Sequence, residues 1–348
     1  MSLKVLNFPT KGEMIQKEDE FFDRTFMMSY SGLSKLLYSP KLFYIHYILG
    51  QRDDNTDKAA IEGKLVHCLF LNPHDFDKEF VLSVADMPSD NPKKVLDRLF
   101  QHYKELNAAG DPRTNLEHFE HAILDILADM NLYQSLKTDA QRIEKIILPK
   151  HIVYWDYLKV CEDKHIIDQQ TYDMALAVVD EIKANDHVMQ VMGYRPEFGD
   201  DIKVQNEIEL AGFNEKFPLF GLRGFIDNLV IDHTNKIIRV NDLKKTSKDI
   251  TGFVDSIEYW KYWIQASMYY MLVDSVYLSR PEYADYTFEF RFIVIDLYAQ
   301  IAPIKVSNNT LKEWIINTEE LLGRANFHFE HRNFDMPYEF IINKELEI

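Results

Sequence analysis

Residues 224 to 244 read GFIDNLVIDHTNKIIRVNDLK. Two apolar, β-branched runs flank the polar stretch 232 to 236, a pattern that predicts an antiparallel β-hairpin. The register has two choices. Pairing Ile231 with Ile237 sets Asp227 beside Asn241, and pairing it with Ile238 sets Asp227 beside Asp242. Opposed residues of an antiparallel pair lie roughly 4.5 to 5.5 Å apart at Cβ, so the hairpin brings two carboxylates together on adjacent strands. Like charges that close repel unless a proton or a cation separates them. Mg2+ suits such a site, being hard and taking carboxylate oxygens while keeping water for chemistry. Lys244 stands two positions beyond Asp242, on the same strand face. Phosphodiester hydrolysis needs an activated water, a cation on the phosphoryl oxygens and a protonated leaving oxygen, and this hairpin has the makings of a metal-dependent nuclease site.

The chain has 348 residues, 46% of them hydrophobic, enough to bury a large core. It has no uninterrupted apolar stretch of membrane-spanning length, and MSLKVLNFPTKGE lacks a signal-peptide pattern, so a cytoplasmic protein of a bacterium or phage-infected host is expected, with no membrane partner. Only Cys68 and Cys161 are present, which excludes a disulfide framework and a four-cysteine zinc or iron–sulfur cluster. The net charge of −17 argues against coating duplex DNA through a general basic surface. A bound metal and local cations such as Lys244, Lys245 and Lys248 can still hold one backbone segment, with strong salt dependence.

Along the chain, Ser39 and Pro40 mark a helix start and Gly50 a stop. The charged loop QRDDNTD follows, then a helix over about 58 to 71 with Gly63 and His67 four apart beside an apolar stripe. Residues 83 to 110 read as irregular and polar, with Pro88, Pro92 and Pro112 as breakers. Helical periodicity returns over 115 to 137 and again over 168 to 192. Strands are predicted at about 202 to 210, 217 to 231 and 237 to 244, a helix at about 257 to 275, and a further strand at 288 to 296. This order indicates an α/β fold. The two His-x-x-His segments at 118 and 328 have no matching carboxylate frame and are read as chance.

Four separated motifs resemble, in order, the RecB-like branch of the PD-(D/E)xK nuclease superfamily, nearest to RecE-type and phage recombination exonucleases. They are SYSGLSKLLYSPKLFYIHY at 29 to 47, with Ser39 where that branch often has Cys; the G-x-x-x-H of Gly63 and His67; Asp227 with Asp242-x-Lys244; and Gln265-x-x-x-Tyr269. Ile226 stands where the name-giving Pro would be. The resemblance implies a restriction-endonuclease-like core, a central mixed β-sheet flanked by helices, with a helical insertion. It covers most of the chain, excepting roughly residues 83 to 165, and the expected organisation is one domain, 1 to 348: leading helices with the G-x-x-x-H motif at 29 to 82, a helical elaboration at 83 to 165, and the catalytic sheet with the Q-x-x-x-Y helix at 200 to 306.

The same resemblance implies that Asp227, Asp242 and the Leu243 carbonyl hold Mg2+, with Mn2+ able to substitute, that Lys244 serves the attacking water or the phosphate, and that His67 joins the metal site. Gly63 would let its helix approach the sheet closely. Relatives often place a further acid where Glu207 stands. Folding about the AGFNEK loop, however, sets Glu207 opposite a residue near Phe220, about 23 Å of strand from Asp227 at about 3.3 Å per residue, and only a bend or bulge could close that gap. Glu209 is the alternative. Gln265 and Tyr269 would touch the DNA backbone or neighbouring catalytic groups, and Arg223 and Lys245 could bind phosphate. The expected activity is a Mg2+-dependent exonuclease on linear, double-stranded DNA in phage-type recombination or replication, 5′ to 3′ favoured. A single-strand annealing protein and a homo-oligomer are the implied partners. The alternatives are a structure-specific or restriction-type endonuclease and a non-catalytic DNA-end-binding member.

Overall fold

In a computed structural model, the structure describes residues 11–51, 58–83, 87–161, 164–197 and 199–345. Residues 52–57 of the charged QRDDNTD loop lie outside them. The chain divides into two compact units, Met1–Asn72 with Ala177–Ile348, and Pro73–Leu176. Its strands are β1 (Phe26–Met28), β2 (Phe80–Leu82), β3 (His165–Ile167), β4 (Ile202–Phe213), β5 (Phe220–Asp232), β6 (Ile237–Lys245), β7 (Thr287–Ile295) and β8 (Ile301–Lys305). No helix among the described residues is long and apolar enough to cross a membrane.

In the larger unit, six strands form a mixed sheet in the order β1-β5-β6-β7-β8, with β4 on the other edge of β5. β4 is antiparallel to β5 along its whole length, β5 is antiparallel to β6, β6 is parallel to β7, and β8 closes an antiparallel edge. Helices flank this sheet, which is the α/β arrangement expected from the sequence. The main core lies on one face, where Leu222, Ile226, Val240, Phe290 and Phe292 meet Ile264, Met268 and Leu272 of the helix Tyr262–Val273. The long helix Asn308–His331 adds Leu322 and Phe329 to the same core.

Local chemistry accounts for several boundaries. The Ser39 hydroxyl accepts from Leu42 N–H, with Pro40 in the first turn, and Gly50 adopts φ 68°. The helix anticipated over 257 to 275 starts earlier and is broken by Lys261, whose left-handed φ of 56° separates Phe253–Trp260 from Tyr262–Val273. The pattern over 168 to 192 likewise divides, because Asn185 caps a second helix, Asp186–Val191.

The smaller unit corrects one expectation. Asp90–Ala108 is an α-helix of 19 residues, not an irregular segment. Pro92 lies in its first turn, where the backbone N–H groups have no intrahelical acceptor to lose. Val95, Leu96, Leu99, Phe100 and Tyr103 then follow helical spacing and pack around the fully buried Trp155, whose indole donates to the Thr114 carbonyl at 2.8 Å.

Candidate active site

β5 has a gap along one edge. β1 pairs with its residues 220–222 and β6 with residues 228–232, so Arg223 to Asp227 face neither strand. Side chains fill part of what the backbone leaves open. Leu243 N–H donates to Asp227 Oδ2 at 2.7 Å, and the Tyr269 hydroxyl donates to the Phe225 carbonyl at 2.5 Å. Gly224 is required beside that tyrosine, since a Cβ there would lie 2.7 Å from the ring. Gln265 Nε2 donates to the Tyr269 hydroxyl at 2.8 Å. Gln265 and Tyr269 are buried, and their polar groups meet each other and the Phe225 carbonyl at this sheet edge.

The other edge of β5 carries the correction to Glu207. β4 and β5 are joined through residues 214–219, not through AGFNEK, and their register pairs Asn206 with Asn228 and Ile208 with Ile226. Glu207 therefore falls at the rung of Asp227, with no long separation to close. Its φ of 50° is left-handed, a conformation that costs a residue with a Cβ roughly 1–2 kcal/mol. Alternation shifts at this rung in both strands. Ile208, Leu210, Leu222 and Ile226 belong to the main core, whereas on the far side of the rung Val204 and Val230 face Gly193 on the opposite side of the sheet. A local break of this kind re-aims a side chain.

Here it gathers three donors. His67, on the helix Lys58–Leu71, has Nδ1 at 3.1 Å from Glu207 Oε1 and Nε2 at 3.1 Å from Asp227 Oδ2. One ligating atom from each of the three lies within 4.8 Å of the others. Burial disfavours a charged His67, but the charge and hydrogen bond of Asp227, with Glu207, outweigh it and raise the imidazole to about 9. Burial likewise opposes ionisation of Asp227, and His67 and Lys244 hold it below the usual carboxylate range.

Asp242 lies beside this trio, on the next strand. The β5–β6 register pairs Asn228 with Asn241, the one of the two anticipated registers that sets Asp227 next to Asp242. Asp242 is fully buried, its Oδ2 is 2.5 Å from Lys244 Nζ, and its Oδ1 has no hydrogen-bond partner. Burial raises its carboxyl well above the usual range, against the opposing pull of Lys244. Burial works against the Lys244 charge too, yet Asp242 and Asp227 hold the ammonium far above its usual range. The ring of Tyr262 lies 5.0 Å from that ammonium.

Behind the acids runs a feature the sequence reading missed. Asn206, Asn228 and Asn241, each adjacent in sequence to one of Glu207, Asp227 and Asp242, form a hydrogen-bonded row across three strands. Asn228 Nδ2 donates to Asn206 Oδ1 at 3.0 Å and Asn241 Nδ2 to Asn228 Oδ1 at 2.7 Å. The row is anchored to the Met192, Val191 and Leu71 carbonyls and to the Tyr194 hydroxyl. The signal was present as N-E, D-N and N-D pairs on three predicted strands, but it acquires meaning only with the β4–β5 register.

Other expected residues take different places. Leu243 enters the site through its N–H. Lys245 is ion-paired with Glu62 at 2.6 Å, which ties β6 to the His67 helix. Arg223 is exposed and lines a cavity of about 570 Å3 with Lys17 and Arg24. Glu209 is exposed opposite Phe225. Gly63 is not a close-approach position, because a Cβ there would meet no described atom within 4 Å.

The family model of the PD-(D/E)XK nuclease superfamily matches residues 27–295, a span that contains every one of the acids, His67 and Lys244. The chain belongs to the PD-(D/E)XK nuclease superfamily. A crystal structure from Eubacterium rectale, described as a "putative exonuclease", is similar over 100% of this chain and 96% of that one, at 14% identity and a TM-score of 0.46. Among curated proteins no relative was found. The donor set fits the divalent metal ions that PD-(D/E)XK nucleases use: the carboxylates are hard oxygen ligands, and Asp242 keeps a buried oxygen without a hydrogen-bond donor.

Proposed function

We propose that this PD-(D/E)XK nuclease is a Mg2+-dependent deoxyribonuclease, with Mn2+ able to substitute, acting as an exonuclease on linear duplex DNA. The observation that carries the reading is the meeting of His67 with Glu207 and Asp227, beside the Asp242 and Lys244 pair of the adjacent strand. His67, Glu207, Asp227 and Asp242 would hold the metal, which when bound supplies Lewis-acid polarisation of the phosphoryl group and a more acidic water.

The chain's own groups do the rest. Asp242 and Asp227 favour the charged form of Lys244. It presents a fixed positive charge and hydrogen-bond donors where negative charge develops on the phosphate, the kind of preorganised electrostatics that dominates such reactions. Tyr262 holds the ammonium against a ring face. The asparagine row fixes the three strands in one register, so that the acids keep their spacing without relying on loops. His67 must give up its proton to act as a ligand. Polarity from 5′ to 3′, a role in phage-type recombination or replication, and pairing with an annealing protein or a second copy belong to the same reading.

End-labelled linear duplex, single strand and covalently closed circle, each with Mg2+ or EDTA, test it. Metal-dependent loss of label from linear duplex with circles left intact is expected. Cleaved circles would make the protein an endonuclease, and no cleavage of any substrate would overturn the reading.

A further inference from the structure

Lys261 ends one helix and begins the next, with left-handed φ, and the two residues before it remain outside the core. Tyr259 is 74% exposed and Trp260 56% exposed, with ring centroids 4.7 Å apart and planes at 89°. Tryptophan is highly buried on average, and the other three in this chain are buried or half-buried. The backbone beneath the pair is tied down, because the Trp260 carbonyl accepts a hydrogen bond from the Tyr30 hydroxyl. Tyr262, two residues on, carries the ring that faces the Lys244 ammonium. The Lys261 ammonium stands 5.8 Å from the Trp263 ring, which adds a cation at the same junction. An exposed aromatic pair thus stands two to three residues from Tyr262, whose ring faces the Lys244 ammonium.

We propose that Tyr259 and Trp260 form a stacking platform for unpaired bases of the DNA strand entering the active site. The proposal rests on the nuclease reading and adds to it how the strand is held. Stacking on aromatic rings tolerates any sequence, because every base has a π-face. It also suits this chain, whose net charge of −17 leaves little general attraction for a phosphate backbone. The strand that stacks here places its phosphates beside Lys261 and, further in, beside Lys244.

The test is the affinity of the full-length protein for a short fluorescein-labelled single strand, measured by anisotropy in EDTA so that nothing is cut. Trp260→Ala and the double variant Tyr259→Ala/Trp260→Ala should bind at least about tenfold more weakly than wild type. Trp260→Phe, which keeps a ring, should retain most of the affinity. Addition of unlabelled oligonucleotide should quench tryptophan emission in wild type more than in Trp260→Phe. Equal affinity of wild type and both alanine variants overturns the platform, and if wild type still cuts DNA the nuclease reading survives that result. Unchanged DNA affinity with self-association that the double variant abolishes assigns the pair to contact with a second copy. A wild type that neither binds nor cuts removes the nuclease reading and the platform with it.

Discussion

Replacing Asp227 with Asn should remove the stronger of the two carboxylate partners of His67 without disturbing the sheet. The carboxamide oxygen can still accept from Leu243 N–H, which now reaches Asp227 Oδ2 at 2.7 Å, so the junction between β5 and β6 persists. The imidazole, however, loses the charge and the hydrogen bond that most oppose its burial. In the metal-free protein the His67 imidazole stands raised from 6.5 to about 9, a rise that corresponds to about 3 kcal/mol, reduced by screening because the side chain is 27% exposed. The sign follows from linkage. A group whose folded pKa lies above its unfolded value stabilises the fold fully below pH 6.5, and that stability is lost as pH rises through about 9. The assay is an NMR titration of the His67 ring in EDTA, with urea midpoints taken across the same pH window. Wild type should titrate near 9 and lose stability with rising pH, whereas Asp227→Asn should titrate closer to the ordinary histidine value with a flatter stability profile. Identical titrations in the two proteins would refute the pairing of His67 with Asp227.

Three further substitutions probe separate parts of the site. Lys244→Ala should lower cleavage by at least ~10²-fold, as loss of one electrostatic catalytic group does, and a near-wild-type rate would remove Lys244 from the chemistry. Gly224→Ala places a Cβ 2.7 Å from the Tyr269 ring and 3.1 Å from Leu272; a loss of ~1–3 kcal/mol in urea unfolding is expected from overpacking, and an unchanged midpoint would contradict the tight contact. Asn228→Leu keeps the branching of the side chain but leaves Asn206 and Asn241 without their cross-strand partner; a cost of ~1–3 kcal/mol is expected, and a neutral result would show that the row does not hold the strands together.

Much of the site was legible because the hairpin of β5 and β6 announces itself locally. A polar turn between β-branched runs fixes a register to within one residue, and one of the two anticipated registers is the one formed. His67 could be placed on its helix from spacing alone, and that helix spans Lys58–Leu71 as anticipated. Glu207 shows where local reading fails. Its position depends on where the β4–β5 connection turns, and placing that turn at AGFNEK instead of 214–219 moved Glu207 seven positions along the strand. Its left-handed backbone has no sequence signature, because glutamate is not a residue that favours it. Pro92 misled in a similar way: a proline reads as a breaker, and whether it sits in a first turn depends on a helix boundary that the polar residues around it do not mark.

The central claim is that His67, Glu207, Asp227 and Asp242 together form a divalent-metal site, and calorimetric titration of the metal-free protein with Mn2+ tests it most directly. Wild type should bind saturably, with affinity that rises with pH as the His67 proton leaves, and Asp227→Asn and Asp242→Asn should each bind at least about tenfold more weakly, a loss of ~1.4 kcal/mol or more. Absence of saturable binding in wild type, or equal binding by both aspartate variants, would contradict the claim.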